Sequence, residues 1–239
     1  MKYATPRALE MALKAEASKS PMGTNAAIAS FYRHRLLCRI FMGSKGEFIL
    51  KGGQSMLART IDARATRDID LLANEAALDT AVDRLVELAS TDLGDFFSFE
   101  LAKTRPIKAE DKYREGICVT FDALIGRKRA VKVSVDLVLD ETFEGLPEVV
   151  SPEDRIELEG IPACDYLAYP VLNAIADKVC ATLEVHDGRP SSRVKDLVDL
   201  VIYARTQQIG GSEACKTLAR EMSIRGLESP NGFAVPAIW

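Results

Sequence analysis

The segment of residues 48–72, FILKGGQSMLARTIDARATRDIDLL, constrains the fold more than any other part of the sequence. It opens with a short apolar run that predicts a buried strand ending at Lys51, Gly52 and Gly53. Paired glycines let the backbone turn sharply and let its N–H groups face an anion. Residues 54–59 then predict the start of a helix, and the N-terminus of a helix favours phosphate. The segment therefore predicts a phosphate-binding turn.

The same segment ends with two aspartates, Asp68 and Asp70, on either side of Ile69. In a strand, residues i and i+2 point to the same face, so both carboxylates would project together while Ile69 enters the core. Mg²⁺ commonly takes one or two protein carboxylates and completes its shell with water and phosphate oxygens. Asp68 and Asp70 are therefore predicted metal ligands.

Each half of this pattern has a simpler explanation. A Gly-Gly pair is more often only a turn, and an Asp-x-Asp pair is more often a solvated strand end. The order of strand, paired glycines, helix and Asp-x-Asp strand is far more restrictive. It is similar to the layout of the nucleotidyltransferase superfamily, in which the glycines hold a triphosphate and the carboxylates hold the metal.

A third aspartate, Asp136, lies in a predicted strand at residues 131–139. The alternation places Lys132, Ser134 and Asp136 on one face and the apolar residues on the other. An ionised carboxylate in such an apolar stretch is costly without a partner, and a metal beside Asp68 and Asp70 would be one. The alternative is a strand-end aspartate that faces water.

The remaining patterns predict an α+β fold, a mixed sheet flanked by helices with a helical C-terminal lobe. Helices are predicted at residues 6–19, 24–42, 75–90, 171–184, 192–207 and 212–222, and further strands at 96–102 and 116–125. Residues 141–164 predict an irregular connection with at most one short strand. We expect an N-terminal lobe of residues 1–165, a C-terminal lobe of residues 166–239, and a C-terminal tail that docks on the body or on a partner.

Composition excludes several classes of protein. The formal charge of −4 and the sequence pI near 5.4 do not suggest a generally basic nucleic-acid binder, although local basic patches remain open. No run of about 18 apolar residues is present to span a bilayer, and the N-terminus lacks the pattern of a secretory signal. We therefore expect a cytoplasmic protein with no membrane partner.

Cysteine and histidine usage limits the chemistry further. The sequence contains only two histidines, which argues against a histidine-based metal site and against a Ser-His-Asp triad. The five cysteines are widely spaced, which argues against a disulfide framework or a zinc site, and most are predicted to be small buried hydrophobes.

Two groups of charged residues have open interpretations. The arginines of the helix at residues 24–42 form either a solvated helix face or a basic surface that meets phosphate. Lys178 lies among small and apolar residues, so we expect a phosphate partner, a snorkelling side chain, or a pair with Asp177 or Glu184. Asp196 and Asp199 share one face of a later helix, which could be only a capped, salt-bridged helix.

Four motifs in order resemble the nucleotidyltransferase-like toxins of the AbiEii/AbiGii group, a toxin–antitoxin and abortive-infection family that includes the mycobacterial MenT toxins. They are Leu50-Lys51-Gly52-Gly53 with Arg64-x-Thr66-Arg67-Asp68-Ile69-Asp70-Leu71, then Val133-Ser134-Val135-Asp136, Ala176-Asp177-Lys178-Val179-x-Ala181, and Ser192-Arg193-Val194-Lys195-Asp196-Leu197-Val198-Asp199-Leu200. The resemblance covers residues 25–205. Gln54 and Asp177 depart from the commoner pattern, which leaves the choice of nucleotide open.

The resemblance implies an enzyme that uses an NTP with Mg²⁺ (or Mn²⁺) and transfers NMP to an acceptor, which in well-understood members is the 3′ end of tRNA. It also implies a cognate antitoxin. The site residues carried over are the metal ligands Asp68, Asp70 and Asp136, the catalytic residues Lys178 and Asp196, and the nucleotide-binding residues Lys51, Gly52, Gly53, Ser55, Arg64 and Arg193. The alternatives are a transferase that acts on a protein or small molecule, and a non-catalytic nucleotide- or partner-binding protein of the same fold.

Overall fold

The computed structural model describes residues 2–60, 66–75, 77–107, 114–153, 155–186, 188–228, 232–235 and 239. The described chain forms two compact units. The first contains residues 2–60, 66–143 and 148–168, and the second contains residues 144–147 and the chain from residue 169 onward.

The first unit is built on a mixed sheet of seven strands in the order β3-β4-β5-β2-β1-β7-β6. The strands are β1 (Phe48–Lys51), β2 (Ile69–Ala73), β3 (Phe97–Pro106), β4 (Arg114–Ile125), β5 (Lys128–Asp140), β6 (Glu148–Val150) and β7 (Tyr166–Ala168). Strand β2 runs antiparallel to β1 and parallel to β5, while β3, β4 and β5 form an antiparallel meander. The central strands β1 and β2 are thus held on both sides.

Four helices complete the first unit, namely α1 (Pro6–Ala17), α2 (Thr24–Gly43), α3 (Gly52–Arg59) and α4 (Leu78–Ala89). Helix α1 begins where Thr5 caps the Ala8 N–H and Pro6 occupies the first turn, a position that needs no N–H donor. The apolar residues of α1, α2 and α4 join the inward side chains of β1, β2, β4 and β5 in one continuous core. This arrangement leaves the alternate residues of those strands to face away from the core.

The second unit contains three helices, α5 (Val171–Leu183), α6 (Val194–Thr206) and α7 (Gly211–Ile224). Helix α5 packs against both α6 and α7. A small two-stranded sheet of β8 (Val185–His186) and β9 (Arg189–Pro190) lies between α5 and α6 in the chain. The Trp239 indole donates a hydrogen bond to the Ser191 carbonyl at 2.8 Å, so the last residue of the C-terminal tail contacts the second unit, while residues 232–235 are exposed.

The predicted α+β class, a mixed sheet with flanking helices, is confirmed. Strands β3 and β5 are longer than predicted. Strand β3 continues to Pro106, beyond the predicted end at residue 102, and β5 begins at Lys128, before the predicted start at residue 131. Strand β7 belongs to the first unit and pairs with β1 and β6, although the predicted lobe boundary placed it in the second.

Both predictions for the basic residues of α2 are wrong. Arg35 and Arg39 are buried and form ion pairs with Asp95, while the Arg33 Nε donates a hydrogen bond to the buried Gln54 side chain at 3.3 Å. His34 lies 2.6 Å from the Tyr166 hydroxyl. These side chains are neither solvated nor available to phosphate, since each has a partner inside the unit.

The prediction that most cysteines are buried is also wrong. Only Cys38 and Cys180 are buried, Cys118 and Cys164 are half-buried, and Cys215 is exposed. Cys38 and Cys164 lie together, with their sulfur atoms 2.9 Å apart, although 126 positions separate them in the sequence. Nothing in their spacing indicated this pair.

In the described part of the chain, no helix is both long enough and apolar enough to cross a membrane.

Candidate active site

A row of polar residues crosses five neighbouring strands of the first unit. Asp70 on β2 lies directly opposite Lys51 on β1 and opposite Asp136 on β5. Residues opposite each other on paired strands project to the same face, with the strands about 4.8 Å apart. The two carboxylates are therefore neighbours on one face. The inward neighbour Ile69 is fully buried, as expected.

The burial pattern along β5 confirms the predicted alternation. Val133, Val135 and Leu137 are buried in the core, whereas Lys132, Ser134 and Asp136 retain exposure on the other face. The alternative of a strand-end Asp136 is wrong, because four residues of β5 follow it. A carboxylate in mid-strand, next to a second one, is not explained by solvation at a strand end.

Gly52 brings the backbone directly against the Asp70 carboxylate. Its φ of +62° lies in the left-handed region, and a Cβ at this position would lie 1.9 Å from the Asp70 Oδ2 atom. Any side chain at position 52 would therefore displace Asp70. The glycine predicted for the phosphate turn thus has a second role, because it makes room for the carboxylate.

The other residues of the predicted phosphate turn are buried. Gly53 lies against Thr66, since a Cβ at residue 53 would be 3.0 Å from the Thr66 Cβ. Ser55, predicted to contact the triphosphate, and Gln54 are both buried in α3. Helix α3 begins at Gly52 and not at Gln54, which places the paired glycines in its first turn.

Asp68 stands at the edge of this arrangement. It precedes β2 by one residue and is exposed, whereas Asp70 is half-buried within the strand. Over the ranges that the structure describes, no three or more His, Cys, Asp or Glu residues are grouped as a preformed metal centre. The donor set is therefore the two in-register carboxylates Asp70 and Asp136, and the predicted grouping of Asp68 with Asp70 on one strand is wrong, because β2 begins at Ile69.

This donor set fits a hard divalent cation whose remaining ligands are water and phosphate oxygens. Two observations support the fit. Asp70 and Asp136 lie in register on neighbouring strands, so both carboxylates can face one cation. The missing Cβ of Gly52 leaves the Asp70 Oδ2 atom unobstructed by a side chain from the turn.

The row continues beyond the predicted residues to Cys118 on β4 and Arg105 on β3. Cys118 lies opposite Asp136, and Arg105 lies opposite Cys118. The Cys118 thiol thus has Asp136 on one side and Arg105 on the other. Partial burial, followed by the hydrogen bond with Asp136, raises the pKa of Cys118 and keeps it a thiol. Sequence reasoning missed both residues, because only the pairing of the strands places them in the row.

The second unit contains a separate charged cluster around Lys178 of α5. Its ammonium lies 2.7 Å from Asp196 Oδ1 and 2.7 Å from Asp199 Oδ2, both on α6. The Arg193 Nε donates to Asp196 Oδ2 at 2.5 Å. The structure thus brings together three of the predicted site residues, Lys178, Asp196 and Arg193, and adds Asp199.

Burial is the largest influence on Asp196 and by itself would raise its pKa. The charges and hydrogen bonds of Lys178 and Arg193 outweigh it, so the pKa of Asp196 lies below its ordinary value. Asp196 is therefore ionised at neutral pH and holds the Lys178 ammonium in a fixed position.

The prediction that Lys178 pairs with Asp177 or Glu184 is wrong. Both carboxylates instead pair with Arg225 at 2.8 Å. Arg64, predicted to bind nucleotide, lies outside the described residues.

Comparison with known families now bears on this arrangement. The model of the nucleotidyl transferase AbiEii toxin family, of type IV toxin–antitoxin systems, matches residues 35–231. The chain belongs to this family. It is accordingly a nucleotidyltransferase of the toxin type, and membership implies an antitoxin partner. The family resemblance of the four motifs is confirmed, and the non-catalytic alternative loses its support.

The solved structure of MenT4 supports the fold. MenT4, a nucleotidyltransferase toxin from Mycobacterium tuberculosis H37Rv, matches with a TM-score of 0.55 and 18% identity over 86% of this chain and 67% of that chain. JHP933 from Helicobacter pylori matches with a TM-score of 0.45 and 14% identity over 87% of this chain and 75% of that chain. A comparison with curated proteins gives no match.

Proposed function

We propose that this AbiEii-family toxin transfers NMP from an NTP to the 3′ end of tRNA, in the cytoplasm, and thereby inhibits translation and growth. The single observation that carries the proposal is the register of Asp70 and Asp136 beside the Cβ-free backbone of Gly52. In-register carboxylates next to a glycine turn are suited to a metal–triphosphate complex.

Asp70 and Asp136, with Asp68 beside them, would hold Mg²⁺ or Mn²⁺. The cation, when bound, would supply charge neutralisation at the phosphates and at the leaving pyrophosphate. The protein itself fixes the positions of the two carboxylates, because β2 and β5 are interior strands that hold them in register. The half-buried Lys51, opposite Asp70, adds a positive charge to the same row for the triphosphate.

Lys178 is proposed to bind phosphate. Its side chain is mostly buried, and two carboxylates at 2.7 Å fix its ammonium. The two carboxylates fix the position of the ammonium, so little side-chain entropy is lost when a phosphate oxygen binds to it. Arg193, attached to Asp196 and more than half exposed, can add a second positive charge to this cluster.

An RNA acceptor is favoured by the basic residues that extend the row of carboxylates. Arg105 lies in register with Cys118 and Asp136, and Lys103, two residues earlier on β3, faces the same side. Lys132 lies on that face of β5, and all three are exposed. Exposed basic side chains next to the carboxylates are suited to contacts with the phosphates of a nucleic-acid backbone. This holds even though the whole chain has a net negative charge.

The test is transfer of label from each α-labelled NTP in turn, with total tRNA and Mg²⁺, read on a denaturing gel. The wild type should label tRNA with one preferred nucleotide, and Asp70→Asn should not. The matched control is Asp79→Asn, which removes an exposed carboxylate in the first turn of α4.

Oxidation of the terminal ribose by periodate should prevent labelling, since the proposed acceptor is the 3′ hydroxyl. Label on a protein or on a small molecule would show that the acceptor is not tRNA, although the protein still transfers a nucleotide. Absence of label with every NTP and every acceptor would overturn the proposal.

A further inference from the structure

A cavity of about 340 Å³ lies in the first unit, between helix α2 and residues 155–164. Both thiols of the Cys38–Cys164 pair line it, together with His34 and Arg35. This cavity shares none of its lining residues with the row of carboxylates on the sheet. Neither the transferase chemistry nor the family motifs give these thiols a role.

The two sulfur atoms lie 2.9 Å apart, and the Cys164 thiol donates its hydrogen to Cys38 Sγ. A disulfide bond requires about 2.05 Å between sulfur atoms, so a movement of less than about 1 Å would join them. Such a movement is within the reach of side-chain rotation, because Cys164 lies in a connecting segment and not in a helix or strand. The geometry therefore brings two thiols into position for oxidation.

The surroundings make the two thiols chemically unequal. The hydrogen bond from Cys164 is the largest influence on Cys38 and lowers its pKa to about 7, and the charge of Arg35 acts in the same direction. The same hydrogen bond raises the pKa of Cys164. Cys38 is thus the nucleophile of the pair and Cys164 the resolving thiol, which is the division found in redox-active cysteine pairs.

We propose that Cys38 and Cys164 form a peroxide-reactive dithiol that closes to an intramolecular disulfide. The Cys38 thiolate attacks one oxygen of hydrogen peroxide, so that an S–O bond forms and the O–O bond breaks. The displaced hydroxide takes a proton and leaves as water. Cys38 becomes a sulfenic acid, and the cavity admits the peroxide that this step requires.

Cys164 then attacks Cys38 Sγ, so that the S–S bond forms and the S–O bond breaks. The hydroxide leaves with the proton from Cys164 as a second water. In total, two thiols lose two electrons and one peroxide is reduced to two waters. The product ties helix α2 to the segment before β7 across a separation of 126 positions.

The experiment uses the full-length protein, reduced and then treated with hydrogen peroxide for increasing times. Remaining thiols are alkylated with N-ethylmaleimide, and peptides are analysed by mass spectrometry without reduction. Cys38 and Cys164 should disappear together into one cross-linked peptide at least about 10-fold faster than Cys215 is oxidised. Cys215 is the internal reference because it is exposed.

Two variants separate the steps. In Cys164→Ser, a β-diketone probe should trap the sulfenic acid at Cys38, and no cross-link should form. In Cys215→Ser, the cross-link should form at the wild-type rate. The oxidised wild type should also melt about 5 °C or more higher than the reduced protein, since the disulfide restricts the unfolded chain.

The proposal is overturned if Cys38 and Cys164 remain alkylatable after Cys215 has been oxidised, or if the cross-link joins two molecules. The wild-type time course needs no variant, so a Cys164→Ser protein that fails to fold leaves the test intact. The outcome does not depend on nucleotide transfer and is independent of the proposed function.

Discussion

Asp70 and Asp95 are both carboxylates of the first unit, but their surroundings are opposite. Asp95 is 1% exposed and is held by Arg35 and Arg39, with 2.7 Å between its Oδ1 atom and Arg39. Asp70 is half-buried and has a second carboxylate, Asp136, in register beside it. The first arrangement pairs opposite charges inside the protein, while the second places two carboxylates side by side on a face of the sheet.

The difference between Asp95 and Asp70 distinguishes a carboxylate that stabilises the fold from one that serves the function. Two buried arginines around one aspartate stabilise the position of α2, because each ion has a partner. Two carboxylates in register on neighbouring strands, beside a glycine turn, are instead suited to binding a cation or a substrate. Four substitutions or conditions test this distinction, beginning with the largest expected effect.

The strongest test of the functional side is Asp70→Asn. We expect nucleotide transfer to fall by about 10³-fold or more, because the metal loses a charged ligand. The melting temperature should change little, since Asn keeps the size and shape of the side chain. Transfer assays and thermal denaturation measure the two quantities, with Asp79→Asn as the exposed control. Loss of folding in Asp70→Asn would show that Asp70 is structural after all.

The converse test is Asp95→Asn. This change leaves two buried arginine charges without their carboxylate, so we expect the free energy of unfolding to fall by about 3–5 kcal/mol. Urea denaturation gives this value directly. The remaining folded protein should still transfer nucleotide. An Asp95→Asn variant that is as stable as the wild type but inactive would show that Asp95 serves the function and not the stability of the fold.

Gly52→Ala tests the contact between the turn and the site. The new methyl group would occupy space 1.9 Å from Asp70 Oδ2, and a displacement of about 1 Å at a reacting centre can cost about 10²-fold in rate. The matched control is Gly46→Ala, where φ is +92° but nothing lies within 4 Å. Both variants should lose about 1–2 kcal/mol through backbone strain. Only Gly52→Ala should lose transfer activity as well, as steady-state kinetics on both proteins would show.

The smallest effect concerns acid stability. Burial alone would raise the pKa of Asp95, but the hydrogen bond and charge of Arg39, followed by Arg35, bring it below the ordinary value of 3.8. A carboxylate whose pKa is lower in the folded state contributes stability above its unfolded pKa and loses it as pH falls through the folded pKa. Unfolding measured from pH 6 to pH 2 should therefore show a steeper loss for the wild type than for Asp95→Asn. Parallel curves would contradict the ion-pair account.

The sequence could predict the parts of the site that depend on local pattern. The apolar run before Gly52, the inward position of Ile69 and the alternation around Asp136 each follow from strand geometry, which needs no knowledge of the partner strand. The start of β2 was not predicted, since Asp68 lies outside the strand that contains Asp70. The α+β class was predictable for the same reason. The family motifs added Lys178 and Asp196 to the predicted site, and in the structure these two side chains form an ion pair.

The arginines of α2 were not predictable in this way. A helix with several arginines normally presents them to water, and only the position of Asp95, 56 residues after Arg39, makes their burial favourable. The local pattern of α2 contains no sign of that partner. The pairing of Cys38 with Cys164 was hidden for the same reason, since each cysteine contacts a part of the chain far away in sequence.

The positions of the charged residues and the strand faces they occupy follow from the sequence, because side chains alternate along any strand. Which residues become neighbours across strands depends on the tertiary structure. The β4–β5 hairpin shows why. Its pairing shifts by one residue at an irregularity near Ala123 and Leu124, so Cys118 lies opposite Asp136 and not Val135. A shift of one residue moves a side chain to the other face, and no local pattern in the sequence marks where a bulge will form.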